Sequence, residues 1–181
     1  MDGIVLILIA MVCIAVGIAE TVCAATWAPF YFRLGPTVYR RAYEIFHNSP
    51  VEIDVSSLGR EFHGSFLPSL VFKKIGEDEY AFRETILQPC LLRYVPVMRG
   101  HIHIKPDTGA MIVEGRLGWF SMIFPPCFVG IVVLASESFL FSVGAIAAVG
   151  LIMGFLYSLQ ARRFNKVAAY LNNRFLRRGA S

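Results

Sequence analysis

His101 and His103 are the residues of this sequence best suited to chemistry: two imidazoles two positions apart, followed by Glu114. On an extended chain that spacing puts both rings on one side of a strand. Two imidazoles and a carboxylate are part of what a zinc ion or an acid–base centre requires, but a zinc site needs three or four well-placed protein ligands. Glu61 and His63 could supply another, yet no spacing pattern ties them to the pair. The primary expectation is therefore that His101, His103 and Glu114 lie on the solvated outer face of a half-buried strand. A metal-dependent enzyme or carrier built on them is the minor alternative. Glu20 is the second residue with chemical potential, because an ionisable group inside an apolar run is costly and marks a functional position by default. Its run holds no second acid or histidine to make a proton relay, so a structural or inter-subunit hydrogen bond is the expectation. The chain has no nucleophile–base pattern and no phosphate-cradling glycine loop. Cys13, Cys23, Cys90 and Cys127 form no Cys-x-x-Cys pair and read as small, reduced, buried thiols. Neither enzymatic activity nor a cofactor is expected.

These residues are positioned by a chain built largely for lipid. Its 181 residues are 56% hydrophobic and 17% charged, against about 25% charged in a soluble domain, and mean hydropathy is +0.58. The net charge of +4 is concentrated beside apolar stretches, which favours anionic head groups over nucleic acid as the partner. The first apolar run, Gly3–Phe32, predicts a transmembrane helix over Ile4–Thr26. Met-Asp-Gly lacks the positive charge of a signal peptide and the run is long for one, so a retained anchor is expected. Ala10, Cys13 and Gly17 lie on one small face of this helix, suited to close approach by another.

The stretch Gly118–Tyr157 is long enough for two spans meeting at Ala135-Ser136-Glu137-Ser138. Pro125-Pro126 kinks the first of them or marks an interfacial start; broken helices can form transport sites, but a structural kink is expected here. The second carries Gly144, Gly150 and Gly154, the last two spaced Gly-x-x-x-Gly. A basic tail follows, in which Phe164, Val167, Ala168, Leu171 and Phe175 recur at helical spacing. The helix is expected to continue beyond Tyr157 into this tail, whose six cations, Arg162, Arg163, Lys166, Arg174, Arg177 and Arg178, would meet an anionic membrane surface.

Between the spans, Tyr39, Tyr43 and Phe46 recur at helical spacing and predict a short amphipathic helix over Thr37–His47. From Val51 the period changes to two. Val51, Ile53 and Val55 alternate with acids, Leu70–Lys74 and Tyr80–Phe82 flank a turn, and Arg99–Lys105 pairs with Ala110–Leu117 across Pro106-Asp107-Thr108-Gly109. With Lys105 opposite Ala110, the residues Ile102, Ile104, Met111 and Val113 share one face while His101, His103, Lys105 and Glu114 share the other. The expected organisation is an N-terminal transmembrane helix over 1–32, an interfacial segment over 33–50, a β domain over 51–117, a helical hairpin over 118–157 and a basic tail over 158–181. This is an α+β membrane protein with three transmembrane helices, one N-terminal and two C-terminal, and a small antiparallel β domain between the first and second.

Charge sets the expected topology in the cell (inner or plasma) membrane. The positive-inside rule puts the basic tail and the β domain, with Arg33, Arg40 and Arg41 at its entrance, in the cytoplasm and the N-terminus outside. The segment Val97-Met98-Arg99-Gly100-His101-Ile102-His103-Ile104 with Gly109 and Gly115-Arg116-Leu117, ahead of paired apolar helices, resembles uncharacterised bacterial membrane proteins with a small β domain in that place. The resemblance covers about Arg83–Leu134 and implies architecture without an activity. The functional expectation is a non-catalytic accessory, scaffold or assembly subunit of a larger membrane complex, of the photosynthetic or respiratory kind, with other membrane subunits and anionic lipid as partners. The alternative is a lipid-binding or membrane-sensing module using the basic tail.

Overall fold

The computed structural model describes residues 2–44, 53–63, 67–85, 96–136 and 138–178. Expectations placed on Phe46, His47, Val51, Glu52, Cys90 and Glu137, and on the side chains of Phe175, Arg177 and Arg178, lie outside the described residues.

Two apolar helices frame the chain. α1, Asp2–Thr26, and α5, Phe139–Arg178, are both long and apolar enough to cross a membrane. α4, Trp119–Ala135, is apolar but has only 17 residues, about 26 Å at 1.5 Å per residue, against a hydrocarbon core of about 30 Å. Of the three expected spans, two are thus helices of spanning length and the third is a shorter apolar helix. Both Pro125 and Pro126 lie inside α4, which runs unbroken from Trp119 through them. α1 packs along α4, and α4 along α5.

A five-stranded antiparallel sheet in the order β1-β5-β4-β3-β2 lies between the apolar helices in the sequence. Its strands are β1 (Thr37–Glu44), β2 (Leu70–Lys74), β3 (Glu79–Glu84), β4 (Met98–Lys105) and β5 (Ala110–Leu117). The two expected hairpins form, and Lys105 pairs with Ala110 and His101 with Glu114. Gly109 supplies the left-handed φ of 58° that closes the second turn.

Two local expectations are corrected. Thr37–Glu44 is the edge strand β1, paired with β5, where an amphipathic helix was expected. Thr, Val and Tyr favour strands, and Tyr39 and Tyr43 fall on one strand face as readily as on one helix face. The expected strand through Val55 is instead the short helix α3, Val55–Glu61, because Asp54 caps it. The Asp54 carboxylate accepts from the backbone N–H groups of Ser56 at 3.0 Å and Ser57 at 3.3 Å. Such a cap satisfies donors that the first helical turn leaves open.

The sheet has two covered faces. On one, Phe164, Val167, Ala168 and Leu171 of α5 join Phe72, Tyr80, Phe82, Ile102, Met111 and Val113 in the main core. Gly100 and Gly115 face each other across β4 and β5 and make room for the rings. A side-chain carbon on Gly100 would stand 2.2 Å from Phe82, and one on Gly115 2.8 Å from Phe164. The Phe82 and Phe164 rings meet edge to face at 4.8 Å, an arrangement that contributes about 0.5–1.5 kcal/mol beyond area burial. Gln160 fastens α5 where its apolar half ends: its Oε1 accepts from Val97 N at 3.0 Å and Met98 N at 2.7 Å.

The other face carries α2, Pro29–Arg33, which buries Tyr31 and Phe32 against Ala81. α1 ends just before it in a reversal at Trp27, whose φ of 60° is left-handed. For a residue other than glycine that conformation costs about 1–2 kcal/mol. Stacking of Trp27 on Phe32 at 5.5 Å and the Arg83 guanidinium 4.7 Å over its ring hold it there.

Candidate functional site

The polar chemistry of the chain gathers on the α2 face. Strand alternation aims Glu79, Ala81 and Arg83 of β3, Arg99, His101 and His103 of β4, and Glu114 and Arg116 of β5 to the same side. Each of three carboxylates on this face meets a guanidinium. Arg33 pairs with Glu79 at 2.6 Å, Arg116 with Glu114 at 2.7 Å, and Arg99 with Glu20 at 3.6 Å.

Glu20 sits where α1, α2, α4 and the sheet meet. Its carboxylate accepts from the Tyr31 hydroxyl at 2.6 Å, from Trp119 N at 3.1 Å and from Phe120 N at 2.5 Å. The last two are the first backbone donors of α4, so Glu20 acts as a remote cap and places an anion at the positive end of that helix. Gly118 lets it approach: a side-chain carbon there would lie 2.6 Å from Glu20 Oε1. Arg99 is 3% exposed. Its guanidinium lies 3.9 Å over the Tyr31 ring and 5.5 Å from that of Trp119, and donates to the Leu34 carbonyl. Burial, first, and the nearby Glu20 carboxylate push the Tyr31 phenol well above its ordinary range, which keeps it a neutral donor.

The expected solvated face of His101, His103 and Glu114 is corrected by this packing. His101 is 5% exposed, under Glu79 and the guanidiniums, while His103 is at the rim. Glu79, absent from the sequence-based set, lies between the rings: its Oε2 is 3.7 Å from His101 Nε2 and its Oε1 3.4 Å from His103 Nδ1. Burial works to raise the Glu79 carboxyl, but the Arg33 hydrogen bond and charge outweigh it and hold the group below its ordinary value. Glu114 stands opposite His101 in register yet directs its oxygens to Arg116 and to Arg40, at 3.8 Å. Glu61 ends α3 and His63 follows it, and Leu58 of that helix belongs to the core on the opposite face. Among the described residues no group of three His, Cys, Asp or Glu is arranged to hold a metal ion.

The helix-packing residues divide. Cys13 and Gly17 face α4, with Phe120 3.3 Å from where a Gly17 side chain would begin, while Ala10 is exposed. Gly144, Gly150 and Gly154 have open space beside them. The basic tail continues α5 beyond Tyr157, as its helical spacing predicts, and over 158–174 its apolar stripe packs on the sheet. Arg163 pairs with Glu84 and donates to the Pro68 carbonyl, and Arg174 donates to the Ser57 hydroxyl. Arg162 and Lys166 remain exposed. A cavity of about 590 Å³ at the α1–α4 junction is lined by Cys13, Gly17, Thr21 and Phe120, with Glu20 and Tyr31 on its polar wall.

The pairing roles of Arg33, Glu79, Arg99 and Gln160 are not legible in the sequence because each finds its partner across a long stretch of chain. The aromatic cluster Trp27–Phe32 at the end of an acid-bearing span was the one available signal for the junction. Comparison with protein-family models, curated proteins and solved structures returned no match, so the functional reading rests on this geometry.

Proposed function

We propose that the chain is a non-catalytic integral membrane protein serving as an accessory, scaffold or assembly subunit of a larger membrane complex. The observation that carries it is the apolar half of α5. Among the described residues nothing beyond α5's own neighbouring backbone lies within 4 Å of where side chains would project from Gly144, Gly150 and Gly154, and Leu140 and Leu151 are 80% and 76% exposed. Small residues among bulky ones let another helix approach closely. The contrast with Gly17, which already has Phe120 against it, supports an unmet partner for α5. A non-catalytic role is supported by the α2 face, whose carboxylates are engaged in internal ion pairs and a helix cap.

In this proposal α4 and α5 form a membrane hairpin, since α4 leaves the sheet at Trp119 and α5 returns to it at Gln160. A 17-residue α4 crosses where the bilayer thins around it. The protein is then multi-pass in the cell (inner or plasma) membrane, with the N-terminus outside and the sheet and tail cytoplasmic. Arg162 and Lys166 are left to meet anionic head groups. The test is purification from native membranes in mild detergent. A defined larger assembly is expected, and Gly150→Leu with Gly154→Leu should deplete its other subunits. A chain that migrates alone at its own mass without co-purifying protein rejects the proposal.

A further inference from the structure

We propose that His101 is an acid-sensitive latch: while its imidazole is neutral, Pro29–Pro36 at the foot of the first apolar helix stays docked on the sheet, and a proton on that ring releases the dock.

The docked segment is held by the groups that surround His101. Arg99 and Arg116 stand opposite each other on β4 and β5, an unfavourable juxtaposition of like charges. Each reaches into the segment, Arg116 donating to the Arg33 carbonyl and Arg99 to the Leu34 carbonyl. Arg33 itself bonds Glu79 on β3, and Leu117 N donates to the Pro36 carbonyl at 3.0 Å. His101 lies between Arg99 and His103 along β4 and across from Glu114 on β5. From β3 it is approached by Glu79, with Arg83 further along the same face.

Charge on this face is balanced without the imidazole. Arg33, Arg99 and Arg116 are matched by Glu79, Glu20 and Glu114. Arg83 over the Trp27 ring and Arg40 at the rim near Glu114 add positive charge and no further carboxylate. Among the described residues neither nitrogen of His101 has a hydrogen-bond partner, and the nearest carboxylate oxygen, Glu79 Oε2 at 3.7 Å from Nε2, is already bonded to Arg33. A proton taken from solvent adds a cation near the buried Arg99 and the half-buried Arg116 and draws Glu79 away from Arg33. Uncompensated buried charge is relieved by opening the structure.

The direction of titration agrees. Burial, first, lowers the affinity of His101 for a proton; Glu79 and Glu114 oppose this, Arg116 and His103 reinforce it, and the net result is a value below the ordinary 6.5. The docked state therefore holds the proton less tightly than the undocked one. The contribution of neutral His101 to docking is fully present above about pH 6.5 and declines as pH falls below it.

The chain has two tryptophans, and both touch the docked segment: Trp27 stacks on Phe32, and Trp119 meets Tyr31 edge to face at 5.2 Å. The full chain in nanodiscs is titrated from about pH 8 to about pH 5, across the histidine range, while tryptophan emission is recorded. A reversible red shift below about pH 6.5 is expected, absent in His101→Gln and kept in His103→Gln. No shift in the unmodified chain, or a shift that survives His101→Gln, overturns the proposal. If His101→Gln does not fold, amide exchange in the unmodified chain decides. After correction for intrinsic pH dependence, protection at 29–36 should fall about tenfold per unit by which the docked value is depressed, while that of β4 and the sheet-bound part of α5 holds. Unchanged protection at 29–36, or equal loss in both regions, overturns it.

Discussion

On the α5 face of the sheet, aromatic and aliphatic side chains fill a shared core around Phe82 and Phe164; on the α2 face, guanidiniums and carboxylates alternate beneath a few aromatic rings. The first face is stabilised by contacts that are non-directional and scale with area. The second depends on partners at fixed distances, because a buried charge without its counterpart is far costlier than an imperfect apolar contact. One sheet thus bonds to the end of one apolar helix by packing and to the foot of another by electrostatics. The α5 side should respond to changes of volume, and the α2 side to changes of charge.

Phe164→Ala should have the largest effect, since it empties the centre of the α5 face. A loss of about 3–5 kcal/mol is expected, measured by denaturant unfolding in detergent followed by circular dichroism. Arg99→Met changes volume little but leaves Glu20 without its cation, and should cost about 3 kcal/mol. Glu20→Gln in the same chain should recover part of that loss, and a strictly additive double variant would show the two side chains to be uncoupled. Gly100→Ala drives a carbon into Phe82 and should cost about 1–3 kcal/mol; an unchanged melting temperature would mean that the paired glycines do not set the ring packing. Arg33→Gln, at a half-exposed pair with Glu79, should cost under about 1 kcal/mol and less still at high salt.

The smallest effect belongs to the Asp54 cap, away from both regions. Hydrogen bonds from Ser56, with help from Ser57, hold its carboxyl below the ordinary 3.8. Its stabilisation is present above that value and lost as pH falls through the folded-state one. Asp54→Ala should flatten the acid limb of the stability profile, whereas a steep limb unchanged in the variant would assign it to other carboxylates.

Legibility followed the same division. The β4–β5 hairpin and its register could be read from period-two alternation around Pro106–Gly109, and the apolar stripe of α5 from Phe164, Val167, Ala168 and Leu171. β1 was misread because Tyr39 and Tyr43 satisfy either period, and only pairing with β5 selects the strand. α3 was misread because alternation at Ile53 and Val55 competed with a cap at Asp54. On the α2 face the residue types of Glu20 and His101 drew notice. Their partners did not, since Glu79 and Arg99 look like ordinary exposed strand residues until α2 covers them.

By itself the sequence determined the apolar stretches, the antiparallel hairpins and the concentration of positive charge beside them, because hydrophobicity, strand alternation and turn chemistry act over a few neighbouring residues. Only the tertiary structure decided that α5, apolar in its first half, is bound to a sheet in its second. It alone joined Glu20 to the start of α4 and enclosed His101 among charges. Those pairings are set by which surfaces meet when the helices close over the sheet, and no local periodicity encodes them.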